Sequence, residues 1–140
     1  MNQSCSCPCG QSTFTVSGVA ISRFLCHCQI CQSIYKQPFA DITTFWSRSV
    51  SLPEEHSIQF NRYRLPPALR RGTCATCDAP VVGLLSLAPF VQLAFVPSKN
   101  FSAPAALPSA GAHIFYHRRV CDVHDSLRKV NGYWPSELAV

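Results

Sequence analysis

The nine cysteines of this 140-residue chain are clustered, and that clustering limits what it can fold into more than any other feature. Cys5, Cys7 and Cys9 alternate along CSCPCG, and Cys26, Cys28 and Cys31 crowd into CHCQIC. Cys74 and Cys77 frame CATC, while Cys121 stands apart. The N-terminal stretch MNQSCSCPCGQ has neither the basic nor the apolar region of a secretory signal. An odd number of thiols in such a chain fits a reducing compartment better than a disulfide framework. The expectation is a cytoplasmic protein whose clustered thiols hold metal. The rival readings are buried inert thiols or a redox CxxC.

The rest of the composition supports a packed domain. Hydrophobic residues make up 47% of the chain and charged residues 14%, a globular balance, and 140 residues suffice for one core. We therefore expect a single domain over 1–140. No apolar run approaches the roughly 18 residues of a membrane-spanning helix, so no membrane is expected. The net charge of +5 is spread over pairs (Arg62 and Arg64, Arg70 and Arg71, Arg118 and Arg119) instead of one stripe. Such pairs suit a solvated surface or small-anion contacts better than a nucleic-acid face.

Eleven prolines divide the chain into short pieces. Ser12 to Ser17 alternates with the period of a strand, and Ile21 to Cys28 reads as a second strand beyond the Gly18 turn. Ile30 to Lys36 can form one helical turn before Pro38. Ser57 to Arg64 alternates again, Leu69 to Thr73 leads into Cys74, and Val81 to Leu87 and Phe90 to Val96 are apolar and β-rich. Ser98 to Gly111 reads as a long surface connection, His113 to Val120 as a last strand, and Asp122 to Lys129 as a short helix. The pattern predicts a mainly β domain of antiparallel strands with little helix.

Two thiols of a short Cys-x-x-Cys turn can face one metal, because the chain reverses between them and exposes N–H groups to the sulfurs. The residue after the second thiol often adopts positive φ. Gly10 follows Cys9, and Asp78 follows Cys77; Asp is one of the few other residues tolerant of that conformation. Two thiols of the N-terminal cluster with Cys74 and Cys77 would complete a four-thiolate zinc site; Cys5 reads as a spare thiol on a frayed terminus, although cysteines at period two leave the register open. In CHCQIC, an extended strand projects Cys26 and Cys28 to one face and His27 to the other, and a turn can return Cys31 to the first face. Three thiolates with an open fourth position are the arrangement of catalytic zinc. Cys121 and His124, spaced C-x-x-H, are the candidates to close it.

Cys7-Pro8-Cys9-Gly10, CHCQICQSIYKQPF from Cys26 to Phe39, and RRGTCATCDAP from Arg70 to Pro80 together resemble the glutathione-dependent formaldehyde-activating enzyme family, which includes the centromere protein V-like domains. The likeness runs from about Cys7 to the His113-Ile114-Phe115 stretch. It implies a β-tent fold of packed antiparallel sheets, stapled by zinc, with two zinc ions per chain. The structural zinc is carried onto Cys7, Cys9, Cys74 and Cys77, and the second, catalytic-type zinc onto Cys26, Cys28 and Cys31. The implied chemistry is that of a carbon–sulfur lyase acting on a small thiol or thiol–aldehyde adduct, such as S-hydroxymethylglutathione formed from glutathione and formaldehyde. This chain departs from the family pattern at Asp78, at the extra Cys5, and in a tail divergent from about 116, where Cys121 stands in place of an aromatic residue.

On this reading the zinc binds the substrate sulfur or an aldehyde-derived oxygen and lowers its pKa. His27, His56, His113, His117 and His124 are the candidate bases by residue type. Lys36, Arg62, Arg64, Arg70 and Arg71 are the candidate partners for substrate carboxylates. The rival functions are a non-catalytic zinc module for protein or nucleic acid, and a redox or zinc sensor.

Overall fold

The computed structural model describes residues 2–53, 57–61, 69–88, 91–132 and 135–136. The chain forms β1 (Asn2–Ser6), β2 (Thr13–Ser17), β3 (Ser22–Cys26), α1 (Gln29–Tyr35), β4 (Ala40–Trp46), β5 (Val50–Ser51) and β6 (Ile58–Asn61). It continues through β7 (Leu69–Cys74), β8 (Pro80–Ala88), β9 (Val91–Pro97), β10 (Ala112–Ile114) and β11 (Arg128–Lys129). A small sheet has the order β1-β2-β5, and a large one β11-β10-β3-β4-β9-β8-β7-β6. The fold is mainly β, and most neighbouring strands run antiparallel; β10 runs parallel to both β3 and β11. No helix among the described residues is long and apolar enough to cross a membrane.

Period-two alternation explains the small sheet. In β2 the side chains of Phe14 and Val16 are buried and the three threonine and serine residues are exposed. In β1 Gln3 and Cys5 are buried, and Cys5 pairs with Phe14 across the antiparallel ladder. Cys5, expected from the sequence to be a spare thiol on a frayed terminus, is instead a core residue, 1% exposed. It packs with Phe14, Val16, Phe45 and Phe101 in the larger core, which the two sheets share with Cys7 and Cys74. Burial without a partner pushes its thiol pKa up to about 12, so it remains a neutral thiol.

Three further expectations change. The strand placed over His113 to Val120 stops at Ile114, because Phe115 takes a left-handed φ of 52° and the chain enters a 3-10 turn over Tyr116–Arg118. The helix placed over Asp122 to Lys129 does not form. Arg128–Lys129 makes a short strand beside β10, where Val130 N–H bonds to the His113 carbonyl at 2.8 Å. The helical turn before Pro38 is a seven-residue helix, α1, that ends at Lys36 with φ 53°. The sequence reading also passed over β4, whose run Ala40–Trp46 is buried on both faces at its centre and so does not alternate.

Gly72 marks the tightest approach in the large sheet. It lies at a register shift between β7 and β8. A Cβ there would sit 2.8 Å from side-chain atoms of both Ile58 and Phe60 and 2.9 Å from the Val82 carbonyl oxygen. The carbonyl cannot swing away as a side chain can. Gly72→Ala is therefore expected to destabilise the fold by about 1–3 kcal/mol, the usual cost of overpacking, read as a lowered urea midpoint at unchanged slope. An unchanged midpoint would show that β7 and β8 can part freely at this place.

Candidate functional site: two thiol clusters and a cavity

The first cluster joins the beginning of the chain to its middle. The Cys7–Cys9 loop leads into β2, and Cys74 ends β7. Gly10, at φ 81°, donates its N–H to the Cys7 carbonyl at 3.0 Å. Asp78, at φ 64°, donates to the Cys74 carbonyl at 2.9 Å. These two matching turns bring the sulfurs of Cys7, Cys9, Cys74 and Cys77 within 4.8 Å of one another. The Cys7–Cys9 separation is 3.4 Å and the Cys9–Cys74 separation 3.7 Å. Backbone N–H groups already face the sulfurs: Ser12 donates to Cys7 and Thr76 to Cys74, each at 3.4 Å. Burial works against a Cys74 thiolate, yet hydrogen bonds from Ser12 and from the Cys77 and Thr76 amides outweigh it and bring its pKa down to about 6.

The second cluster is built on the strand-to-helix corner. β3 ends at Cys26, and Cys28 is the N-cap of α1, with backbone φ −64°, ψ 153°. Its sulfur accepts the Cys31 N–H at 3.3 Å, the cap geometry in which a side-chain acceptor meets an orphan helix donor. The Cys31 and Cys26 sulfurs are 3.3 Å apart, and all three sulfurs lie within 4.8 Å of one another. All three residues are buried. Hydrogen bonds from Cys26 and Cys31 pull Cys28 down to a pKa of about 2, while Cys26 is pushed well up by hydrogen bonding to Cys28 and Cys31 and by burial. Negative charge in the triad therefore concentrates on Cys28, at the positive end of α1. Gln32 ties the corner down, donating to the carbonyls of His27 at 2.6 Å and Arg118 at 2.8 Å.

Both donor sets fit a zinc ion. A tetrahedral shell with Zn–S bonds of about 2.3 Å needs sulfurs about 3.8 Å apart, close to the spacings here. The first set offers four sulfurs and the second three. Among the described residues no fourth metal-binding group joins the triad, and neither the exposed Cys121 nor His124 belongs to it.

The triad opens into a cavity of about 90 Å³. Arg71, on β7, and Tyr35, at the end of α1, share it with the three thiols; the other described lining residues are apolar or glycine. Arg71 donates to the Cys31 sulfur at 3.7 Å, its one side-chain hydrogen bond among the described residues. Its guanidinium is stabilised by Cys31, Cys28 and Cys26, which outweigh the burial that opposes its charge. Burial, and next the nearby Cys31, raise the Tyr35 hydroxyl well above the usual range, so it stays protonated and a donor. Phe115 contributes to the wall from its left-handed backbone, a conformation costing a bulky residue about 1–3 kcal/mol.

The sequence paired Arg70 with Arg71, but strand alternation separates them. Arg70 is exposed and lies 5.5 Å over the Phe60 ring, on the other side of β7 from the cavity. Lys36 is exposed beside the helix end. Arg62, Arg64 and His56 lie outside the described residues.

None of the described histidines lines the cavity. His27 instead points behind the triad, as strand alternation predicts, into a buried nest with Phe39, His113 and Tyr116. Its Nε2 is 2.8 Å from His113 Nδ1, and His113 Nε2 is 2.8 Å from the Asp125 carboxylate. Because the carboxylate only accepts, His113 presents Nε2–H to it and accepts at Nδ1 from His27 Nε2–H. His27 Nδ1 is buried and has no hydrogen-bond partner among the described residues. Burial, then the neighbouring His113 and Arg119, lower the His27 pKa to about 4 and keep the ring neutral. This chain was not legible in the sequence, since it needs the parallel pairing of β10 with β3 and Asp125 from the tail. The alternation of His27 against Cys26 and Cys28 was its one local signal.

The glutathione-dependent formaldehyde-activating enzyme family model matches residues 2–118, spanning both thiol clusters and the cavity. The chain belongs to this family. No curated protein matches it significantly. The match to the formaldehyde-activating family stops before Asp122 and Asp125, so the carboxylate that backs His113 comes from outside the shared region.

Proposed function

We propose that the chain is a zinc enzyme that makes and breaks the carbon–sulfur bond of a thiol–aldehyde adduct, such as S-hydroxymethylglutathione. Membership of the formaldehyde-activating family supports this chemistry. The observation that carries it is the triad of Cys26, Cys28 and Cys31, which faces a cavity and, among the described residues, meets no fourth protein ligand. Cys7, Cys9, Cys74 and Cys77 hold a structural zinc, and the triad holds a second one. When bound there, zinc supplies Lewis acidity to an incoming sulfur or oxygen and favours its deprotonated form.

The chain's own groups supply the rest. In breakdown of the adduct, the C–S bond breaks and its electron pair stays on sulfur. The hydroxyl proton is released, the carbonyl forms, and the proton is returned to the thiol. The developing charge on oxygen needs donors, and among the described lining residues the Arg71 guanidinium and the Tyr35 hydroxyl supply them besides the thiols. Three thiolates around a divalent ion leave one negative charge, which Arg71 balances. The apolar walls exclude water and strengthen both effects. His27 and His113 lie behind the triad, where the His27 N–H bonds to the Ile114 carbonyl at 3.0 Å, and neither lines the cavity.

The test is exchange spectroscopy by NMR on mixtures of formaldehyde with glutathione or 2-mercaptoethanol. The zinc-loaded protein should accelerate exchange between free thiol and adduct. Arg71→Met should lower that acceleration by about 10²- to 10³-fold, as loss of an oxyanion donor does, while bound zinc stays at the wild-type ratio. Full acceleration in the variant would remove Arg71 from the mechanism, and no acceleration by the wild type with either thiol would end the enzymatic reading.

A further inference from the structure

Phe115 lines the cavity beside the three thiols from a left-handed backbone, with φ 52° and ψ 35°. A bulky residue keeps that conformation only where its surroundings over-determine it. Here the C-terminal tail supplies restraints. The Phe115 N–H donates to Ser136 Oγ at 2.8 Å, and the same hydroxyl donates to the Val130 carbonyl at 3.4 Å. That carbonyl also accepts the Tyr116 N–H at 3.0 Å, and the Tyr116 hydroxyl accepts the Val123 N–H at 2.9 Å. On its other side the stretch is tied to the triad corner, through the bond between His27 N–H and the Ile114 carbonyl. Ser136 is 0% exposed, so bulk water cannot stand in for its hydroxyl. Val123, Val130 and Ser136 all lie beyond residue 118, where the match to the formaldehyde-activating family ends.

We propose that Ser136 is a positioning residue for the second thiol site and acts through Phe115. Its hydroxyl meets the Phe115 N–H in the left-handed conformation and so holds the ring at the cavity wall beside the triad. The tail outside the shared region thereby sets part of the surface that an incoming thiol or adduct meets. Without the hydroxyl, a buried main-chain donor loses its acceptor and the strained backbone loses a restraint against relaxing. The effect on substrate rests on the enzymatic reading above; the coupling of Ser136 to Phe115 rests on the bonds themselves.

A double-mutant cycle on zinc-loaded protein, read by exchange spectroscopy of the glutathione–formaldehyde adduct, tests it. Ser136→Ala should raise the apparent KM about four- to fifteenfold, the equivalent of one or two lost methylene contacts, and leave kcat within about twofold. Phe115→Gly, which suits a positive φ and removes the ring, should raise KM at least as far. Adding Ser136→Ala to Phe115→Gly should then leave KM unchanged, although the melting temperature falls again. A serine with a merely structural role would shift KM equally in both backgrounds or in neither, and either result overturns the proposal. A binding measurement needs no variant. Titrating glutathione into the zinc-loaded wild type should shift the amide resonances of Phe115 and Ser136 and leave those of Thr15 and Ser17, on the exposed face of β2, in place. A joint shift supports the coupling; a Phe115 resonance that does not move overturns it, whether or not Ser136→Ala folds. The two readings fail separately. Joint shifts with no accelerated exchange by the wild type end the enzymatic reading and leave the coupling intact. Accelerated exchange with an additive cycle does the reverse.

Discussion

Replacing Cys77 by serine is expected to cost the protein its fold. Cys77 follows the turn that begins at Cys74, and its sulfur completes the set that joins the Cys7–Cys9 loop to the end of β7. That set lies against the core shared by the two sheets, in which Cys7 and Cys74 are almost fully buried. Structural zinc in small domains contributes an apparent 10–16 kcal/mol or so of binding free energy, of the same order as the whole stability of a domain. A hydroxyl does not replace a thiolate in such a shell, and the three sulfurs left behind would repel once ionised. The expected result is loss of at least one zinc per chain and loss of cooperative thermal unfolding by circular dichroism. Wild-type protein stripped by a chelator should behave in the same way. A variant that melts cooperatively near the wild-type temperature would show that the four-sulfur set is not a structural staple.

Cys31→Ser should separate function from fold. Cys31 is 1% exposed and packs beside Phe24, Ile42 and Ile114, so a buried hydroxyl there should cost about 1–3 kcal/mol. It also supplies a third of the triad and the sulfur that Arg71 approaches. Two sulfurs do not make a closed set, so the second zinc should be lost and the bound ratio should fall from two to one. Acceleration of thiol–aldehyde exchange should drop by more than about 100-fold, since loss of groups that merely support a ligand already costs 10- to 100-fold. The melting transition should stay cooperative. If Cys31→Ser and Cys77→Ser proved equally damaging to folding, the assignment of separate roles to the two clusters would fall.

The thiol clusters were legible because their geometry is local. Cys-x-x-Cys spacing, a residue tolerant of positive φ at Gly10 and Asp78, and the opposed faces of Cys26 and His27 all follow from backbone periods spanning a few residues. Cys5 was misread because three cysteines at period two present two choices of face, and only pairing with β2 fixes which is buried. The last strand was extended too far because nothing in HIFYHRRV announces that Phe115 turns left-handed. Asp122 to Lys129 was read as a short helix, whereas hydrogen bonds to β10 draw its end into the sheet. Those bonds join residues distant in sequence, and no short window contains both partners.

By itself, then, the sequence determined a mainly β chain with one set of four candidate thiols and one set of three, because strand alternation and turn geometry are properties of adjacent residues. Tertiary structure decided what those thiols face. It placed Arg71 and Tyr35 beside the triad while turning Arg70 away, set His27 against His113 and Asp125 behind the triad, and formed a largely apolar cavity beside the three sulfurs. Each of these depends on the register of strands far apart in the chain, where a shift of one residue moves every side chain to the other face.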